Sequence, residues 1–451
     1  MKALYAPVLS SALFLLFFIS GTGGFQAAAQ KAAEGADTIG VDEVREIISI
    51  LSADSLRGRG LLNGGADLAS DYIISKFKEI GLVPAPGHTD FSQEFTLKRV
   101  TYTSYHARLD SEMITVPNII VASQQLRIDW NQDTPDIKVI FIGVKDDIRR
   151  KLEYINRLES DKLVVVDRML RPIFNRIGAG VQLEKYYIDS VYNPRNPYST
   201  VFVLTDTYKF NEFEVKASTQ TEEVKANNVI GMLPGKSRQD EYVIFSSHYD
   251  GLGYIPADKG DTIANGADDG GSSTTALLTL ARHFREQDDN ERSILFVAFS
   301  AQKAGGVGSE YYAATIDPEK IVAAINMDVI GKVSQFGPHS AYITGYKHSD
   351  LPRILRDNAP GKFKFRPDPY RDANLFRQSD NYPLARLGIP AHTISTFQLG
   401  ADPYYNGARD DIHTILAYID NLTSIINAIA VSSRPIISGA QTPARINPDN
   451  L

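Results

Sequence analysis

The sequence predicts an α/β protein: a doubly wound sheet flanked by helices on both faces, with a β-rich domain inserted. Three observations carry that expectation. After Asn227, apolar runs of strand length alternate with helical patterns, as strands buried on both faces require. Two amphipathic segments precede residue 100. From about 101 to 225, short Val- and Ile-rich runs among charged, Tyr- and Asn-rich connections replace the helical spacing.

Residues 41–53 and 65–80 are expected to be helices. In the second, Leu68, Tyr72, Ile73 and Phe77 recur at helical spacing, and Gly81 stands where a helix would stop. Strand-like runs inside the insertion fall at 139–143, 162–166 and 200–204. Beyond it, strands are expected at 242–246, 293–299, 321–327 and 390–396, and helices at 272–285, 309–314, 380–387 and 417–431. Residues 41–100 and 226–434 would then form one α/β domain, 101–225 the inserted domain, and 435–451 a loose tail. In such sheets, function collects at the carboxyl ends of strands.

The N-terminus reads as a signal peptide over residues 1–29. Lys2 is the positive region, Val8 to Ile19 the apolar run, and Ala27-Ala28-Ala29 a small-residue cleavage site. Residues 30–40 would be a flexible lead-in. The apolar run is too short to span a bilayer comfortably, so no retained transmembrane segment is expected. Export follows, to the periplasm, the surface or the medium. There is no cysteine, which excludes disulfides, thiolate ligands and a thiol nucleophile. A net charge of −7 without a basic run argues against nucleic acid. The length of 451 residues points to two folded units.

Four polar motifs follow apolar strands or sit at turns: Ser247-His248-Tyr249-Asp250, Asn265-Gly266-Ala267-Asp268-Asp269-Gly270-Gly271-Ser272, Phe299 to Ser309, and Ile325-Asn326-Met327-Asp328. Singly, each has an ordinary reading. A histidine at a strand end is more often a capping side chain than a ligand, and an aspartate before a helix is more often its N-cap. Their order and placement together say more.

In that order the residues resemble the co-catalytic zinc exopeptidases of peptidase family M28, which includes secreted bacterial aminopeptidases, glutaminyl cyclases and the non-catalytic transferrin receptor ectodomain. Leu56-Arg57-Gly58-Arg59-Gly60 looks like the family's opening segment, Asn228 to Gly235 like its lead-in to the metal core, and Ser379-Asp380-Asn381-Tyr382-Pro383 with Gly388-Ile389-Pro390 like its late helix–strand unit. The resemblance implies a mixed, zinc aminopeptidase-like sheet and a protease-associated-like insertion.

It also implies a site in two halves. Asp269 matches the aspartate that bridges two zinc ions, His248 and Asp328 complete one zinc, and Asp250 matches the carboxylate orienting the histidine. The other zinc needs a glutamate and a late histidine. The family loop, laid on Phe299 to Ser309 without a gap, puts its general-base glutamate at Gln302 and its ligand glutamate at Lys303. The late histidine falls on Asn406 within Tyr405-Asn406-Gly407-Ala408-Arg409-Asp410, a strong turn pair in its own right. His413 is out of frame, and His392 is a more distant substitute. An amide takes no proton at neutral pH, and a charged lysine offers donors rather than a lone pair. Beside Asp269, the Lys303 ammonium would occupy the volume of the missing zinc.

Two readings stay open. One is an exported pseudopeptidase that binds a peptide, glycan or protein in the ancestral cleft, with zinc at one site or none. The other is a metal-dependent aminopeptidase working with one zinc at His248, Asp269 and Asp328 and another base. A dinuclear aminopeptidase would have to tolerate three replacements, and a glutaminyl cyclase keeps the ligands missing here.

Overall fold

Two helices open the chain, α1 (Val41–Leu51) and α2 (Gly65–Ile80). α2 buries Ala66, Ala69, Ile73 and Phe77 on one stripe and stops at Gly81, whose φ of 81° is the left-handed geometry of a helix C-cap. The computed structural model describes residues 38–123, 125–179, 184–188 and 198–451, so the expected signal peptide and nearly all of the expected lead-in lie outside the described residues. Residues 39–451 cluster as one unit.

β1 (Ser92–Leu109) leads into a second layer: β2 (Ile119–Ala122), β3 (Lys138–Ile142), α3 (Ile148–Arg157), β4 (Lys162–Asp167), α4 (Arg171–Ala179) and β5 (Thr200–Thr205). These strands form a four-stranded sheet in the order β2-β5-β4-β3. The chain returns along β6 (Phe213–Leu233), which pairs antiparallel with β1 from Phe213↔Leu109 to Val229↔Ser92. Period-two alternation builds the layers. Leu163 and Val165 of β4 pack with Ala107 and Val215 of the β1–β6 ribbon, while Val164 and Val166 pack with Ile155 of α3 and Phe174 of α4. The stretch expected to be β-rich therefore carries two helices as well, because the second face of its sheet needs cover. Its expected limits at 101 and 225 fall inside β1 and β6, which run on without a break.

Next come β7 (Arg238–His248), α5 (Ser273–Gln287), β8 (Arg292–Phe299), α6 (Val307–Ala313), β9 (Ile321–Met327), β10 (Ser340–Ile343), α7 (Leu351–Asp357), β11 (Lys364–Pro367), α8 (Asn381–Ala385), β12 (Ala391–Ser395), α9 (Ile412–Leu416) and α10 (Ile419–Ile437), with shorter strands between some of them. The main sheet runs β11-β10-β12-β9-β7-β8-β6-β1. β12, β9, β7 and β8 are parallel, while β10 against β12 and β6 against β8 are antiparallel, so the sheet is mixed. Both faces of the parallel strands are buried. Val243, Phe245, Ile294, Phe296 and Ile325 share a core with α1, α2, α5 and α10. Ile244, Leu295, Val297 and Ala324 share another with Tyr312 of α6 and Leu384 of α8. This topology leaves the carboxyl ends of β7, β8 and β9 side by side.

The end of the chain is not loose. α10 continues to Ile437, and Arg292 donates to the Ile436 and Gln441 carbonyls at 2.7 and 2.9 Å. Ile446 is buried in the second core, and its amide donates to the Gly388 carbonyl. A buried arginine and a buried isoleucine anchor what composition alone read as a tail. Among the described residues no helix is long and apolar enough to cross a membrane.

Candidate metal site

His248 is the last residue of β7, and Asp328 follows the end of β9. Asp269 lies in the turn Ala267–Ser272 that enters α5, with φ −83° and ψ 103°, outside helical geometry. Gly270, at φ 83°, makes that excursion possible, and a Cβ there would meet His248 Cε1 at 3.0 Å. The three side chains converge. His248 Nε2 lies 3.2 Å from Asp269 Oδ1 and 3.4 Å from Asp328 Oδ1. Neither contact has hydrogen-bond geometry, and Nε2 is a buried ring nitrogen without a hydrogen-bond partner. One nitrogen and two carboxylate oxygens within 4.8 Å of one another form a group that could hold a metal ion. The orphaned nitrogen fits such an ion, which would satisfy it.

The other half does not fit a metal. Lys303 Nζ donates to Asp269 Oδ2, where a cation ligand would need a lone pair. Asn406 has φ 58°, the left-handed turn geometry an asparagine before Gly407 tolerates, and presents a neutral amide. Gly251, Leu252, Asp269, Lys303, Asn406 and Asp410 surround a void of about 10 Å³.

Asp250 stands beside His248 and also clamps a loop. His248 Nδ1 is 3.0 Å from the Asp250 main-chain oxygen and 3.6 Å from its Oδ1, so the ring is held by the backbone. The Asp250 carboxylate also accepts the amides of Gln302 at 3.1 Å and Lys303 at 2.9 Å, fixing that loop against β7. Asp410 is the matching clamp on the other loop, with its two oxygens each 3.0 Å from the amides of Asp268 and Asp269. Ser379 donates to Asp328 Oδ2 at 2.8 Å.

Burial disfavours the charged form of every group here, and the neighbours decide the outcome. Burial pushes the His248 imidazole down, but Asp250, Asp269 and Asp328 outweigh it and hold its pKa well above the ordinary value. Burial would raise Asp269, yet Lys303 and His248 hold it well below the usual carboxylate range. Burial lowers Lys303, and Asp269 with Tyr405 reverses that and raises it. Asp380 is buried with no hydrogen-bond partner on either oxygen, and burial pushes it up to about 7.

Neither later histidine substitutes for the lost ligand. His413 on α9 lines a separate cavity beside Asp268 and Lys332. His392 is a satisfied core side chain, 2.7 Å from Ser349 Oγ and 2.9 Å from the Thr344 carbonyl, and burial lowers its pKa to about 4. Arg59, Asp410 and Asp380 were not singled out by sequence reasoning. All three lie inside segments quoted for the family resemblance, the one signal that could have flagged them.

A family model described as peptidase family M28 matches residues 228–429, the span from the end of β6 to α10. Over that span the chain resembles this family. Aminopeptidase YwaD of Bacillus subtilis (strain 168) is 27% identical over 110 residues, 24% of this chain and 22% of that protein. Transferrin receptor protein 2 of Homo sapiens is 25% identical over 226 residues, 45% of this chain and 27% of that protein. The chain thus spans about a quarter of the length of the curated relatives it matches. Among solved structures, the aminopeptidase from Aneurinibacillus sp. strain AM-1 superposes with a TM-score of 0.57 at 15% identity, covering 88% of this chain and 94% of that one. A zinc aminopeptidase from Bacillus subtilis gives 0.53 at 14% identity, covering 90% and 97%. At these identities the likeness shows a shared fold alone.

Proposed function

We propose that this chain is an exported, catalytically impaired member of the M28 family that binds a peptide or protein in what remains of the ancestral cleft. The observation that carries this reading is Gln302. Its loop is held to the end of β7 through Asp250, so the family frame is kept while the position of the base carries an amide. Losing a general base costs about 10²–10⁴ in rate. The void beside Lys303 and Asn406, about 10 Å³, leaves little room there for a substrate atom.

His248, Asp269 and Asp328 would hold one zinc ion, which when bound would supply Lewis acidity to a water. This chain's residues fix the donors: Ser379 orients Asp328, the Asp250 carbonyl orients His248, and Asp410 holds the Asp269 turn. The second reading, a one-zinc aminopeptidase, is favoured by the orphaned His248 Nε2 and the aminopeptidase relatives. Purified protein loaded with zinc chloride and assayed on aminoacyl 4-nitroanilides separates the two. No turnover above free zinc is expected, and chelator-sensitive turnover would establish the second reading instead. For export, mass spectrometry of protein secreted by a bacterial host should show Gln30 as the new N-terminus.

A further inference from the structure

The starting point is the division of the Asp269 carboxylate. Oδ1 faces His248 Nε2 at 3.2 Å, and Oδ2 accepts the Lys303 ammonium. In the family reading this carboxylate lies between two cation positions, and the present inference rests on that reading. One position here is a group of metal donors; the other is filled by a side chain of the chain itself. We infer that the Lys303 ammonium is a resident cation in the place of the second metal, so that the site takes one divalent ion at most and its acidic cluster folds without a second.

Three features make the ammonium a fixed component rather than a passing contact. Its main-chain amide is pinned to Asp250 Oδ2 at 2.9 Å, so the side chain starts from a set point. Its far end lies 5.7 Å from the centre of the Tyr405 ring, within cation–π reach. The remaining void is about 10 Å³, at the lower limit of what holds one water and too small for a hydrated ion beside the ammonium.

Lys303 shares the charge balance of the site with Arg59 and His248. Asp250, Asp269 and Asp410 are each almost fully buried, and Asp328 stands next to them. Carboxylates this close, out of water, repel one another and need a cation or protons to coexist. Removing one partner of a buried pair leaves the other uncompensated, a larger penalty than the pair's own net worth. Lys303 supplies a positive charge whatever the metal supply, which explains why Asp269 persists without its second metal. Asn406 adds no charge, so one ammonium suffices on that side.

The test uses the purified chain, stripped with chelator and titrated with zinc chloride. Wild type should saturate at one equivalent by calorimetry and elemental analysis, and two equivalents would overturn the inference. Lys303→Met removes the charge at nearly constant length. Without metal its melting temperature should fall by about 5 °C relative to wild type. A variant that melts with wild type would overturn the inference. Lys303→Glu should depend on zinc for its stability and take up a second equivalent, whereas a single equivalent would show that the position is no metal position. Should either variant fail to fold, wild-type stoichiometry still decides. Peptidase turnover by wild type would sink the proposed impairment and leave this inference standing, because turnover does not count cations.

Discussion

Arg59 Nη2 donates to the Asp269 main-chain oxygen at 3.0 Å, joining the segment after α1 to the turn that presents the central carboxylate. The guanidinium is fully buried and spends its other hydrogens on carbonyls too: Tyr249 at 2.8 Å, Asn265 at 2.6 Å, Gly266 at 2.7 Å, and Leu51. Burial lowers its pKa, opposed by Asp410, Asp269 and Asp250. One side chain thus fastens the ends of α1 and β7 and both sides of the Asp269 turn.

Arg59→Met would leave those carbonyls without their donor and the surrounding carboxylates without one of their cations. The expected loss is about 3–5 kcal/mol, read as a fall of about 5 °C in thermal melting. Arg59→Lys restores charge but only three donors, and should recover part of it. Zinc affinity by calorimetry should fall in step, because Asp269 is no longer held outside helical geometry. A variant that melts and binds zinc like wild type would remove Arg59 from this account.

His392 predicts a pH effect. Its pKa is lowered to about 4 by burial, so between that value and the ordinary 6.5 the unfolded chain binds the proton and the folded chain does not. The stability is complete above 6.5 and is lost as pH falls toward 4, about 3 kcal/mol in all. His392→Gln keeps a polar partner for Ser349 and cannot titrate. Urea unfolding of the two proteins at pH 7 and pH 4.5 should show the larger loss in wild type, and parallel curves would contradict the prediction.

How much of this was legible depended on where each residue's partners lie. β7, β8 and β9 announced themselves because Val243 to Phe245, Ile294 to Val297 and Ala323 to Ile325 are buried on both faces and read as unbroken apolar runs. The β1–β6 ribbon did not, since Thr103, Ser104, Glu222 and Glu223 are exposed and its polar stretches carry no core pattern. β10, only four residues long, offers too short a run to read. His248, Asp269 and Asp328 were found through the order of their motifs. The clamping work of Asp250 and Asp410 was hidden, because it joins amides 52 to 53 and 141 to 142 residues away through carboxylates that sequence treats as generic.

Asp380 makes the opposite pH prediction. Its carboxyl is raised to about 7 by burial, from an ordinary 3.8, with neither oxygen hydrogen-bonded. The folded state therefore keeps a proton that the unfolded chain gives up. That stability is complete at acid pH and is lost as pH rises through about 7. Between pH 5 and 7 wild type should lose about 3 kcal/mol that Asp380→Asn does not. The amide is itself poorly partnered, so the slope of stability with pH is the readout, not its absolute value. Equal slopes for both proteins would show that Asp380 is ionised in the fold.

Restoring the chemistry should require three changes together. Gln302→Glu supplies a base, but the ammonium at residue 303 still occupies the neighbouring position, so activity on aminoacyl 4-nitroanilides should stay at background. Adding Lys303→Glu opens that position and should raise zinc uptake, yet a second ion would still lack a nitrogen donor. Asn406→His provides it only if the turn at residues 406–407 accepts histidine at φ 58°, a geometry that asparagine tolerates and histidine adopts less readily. The triple variant should exceed the double by about tenfold or more if the cleft has kept its substrate contacts. Background activity in a triple variant shown to hold two zinc ions would mean that the binding surface, and not only the metal half-site, has left peptidase chemistry behind.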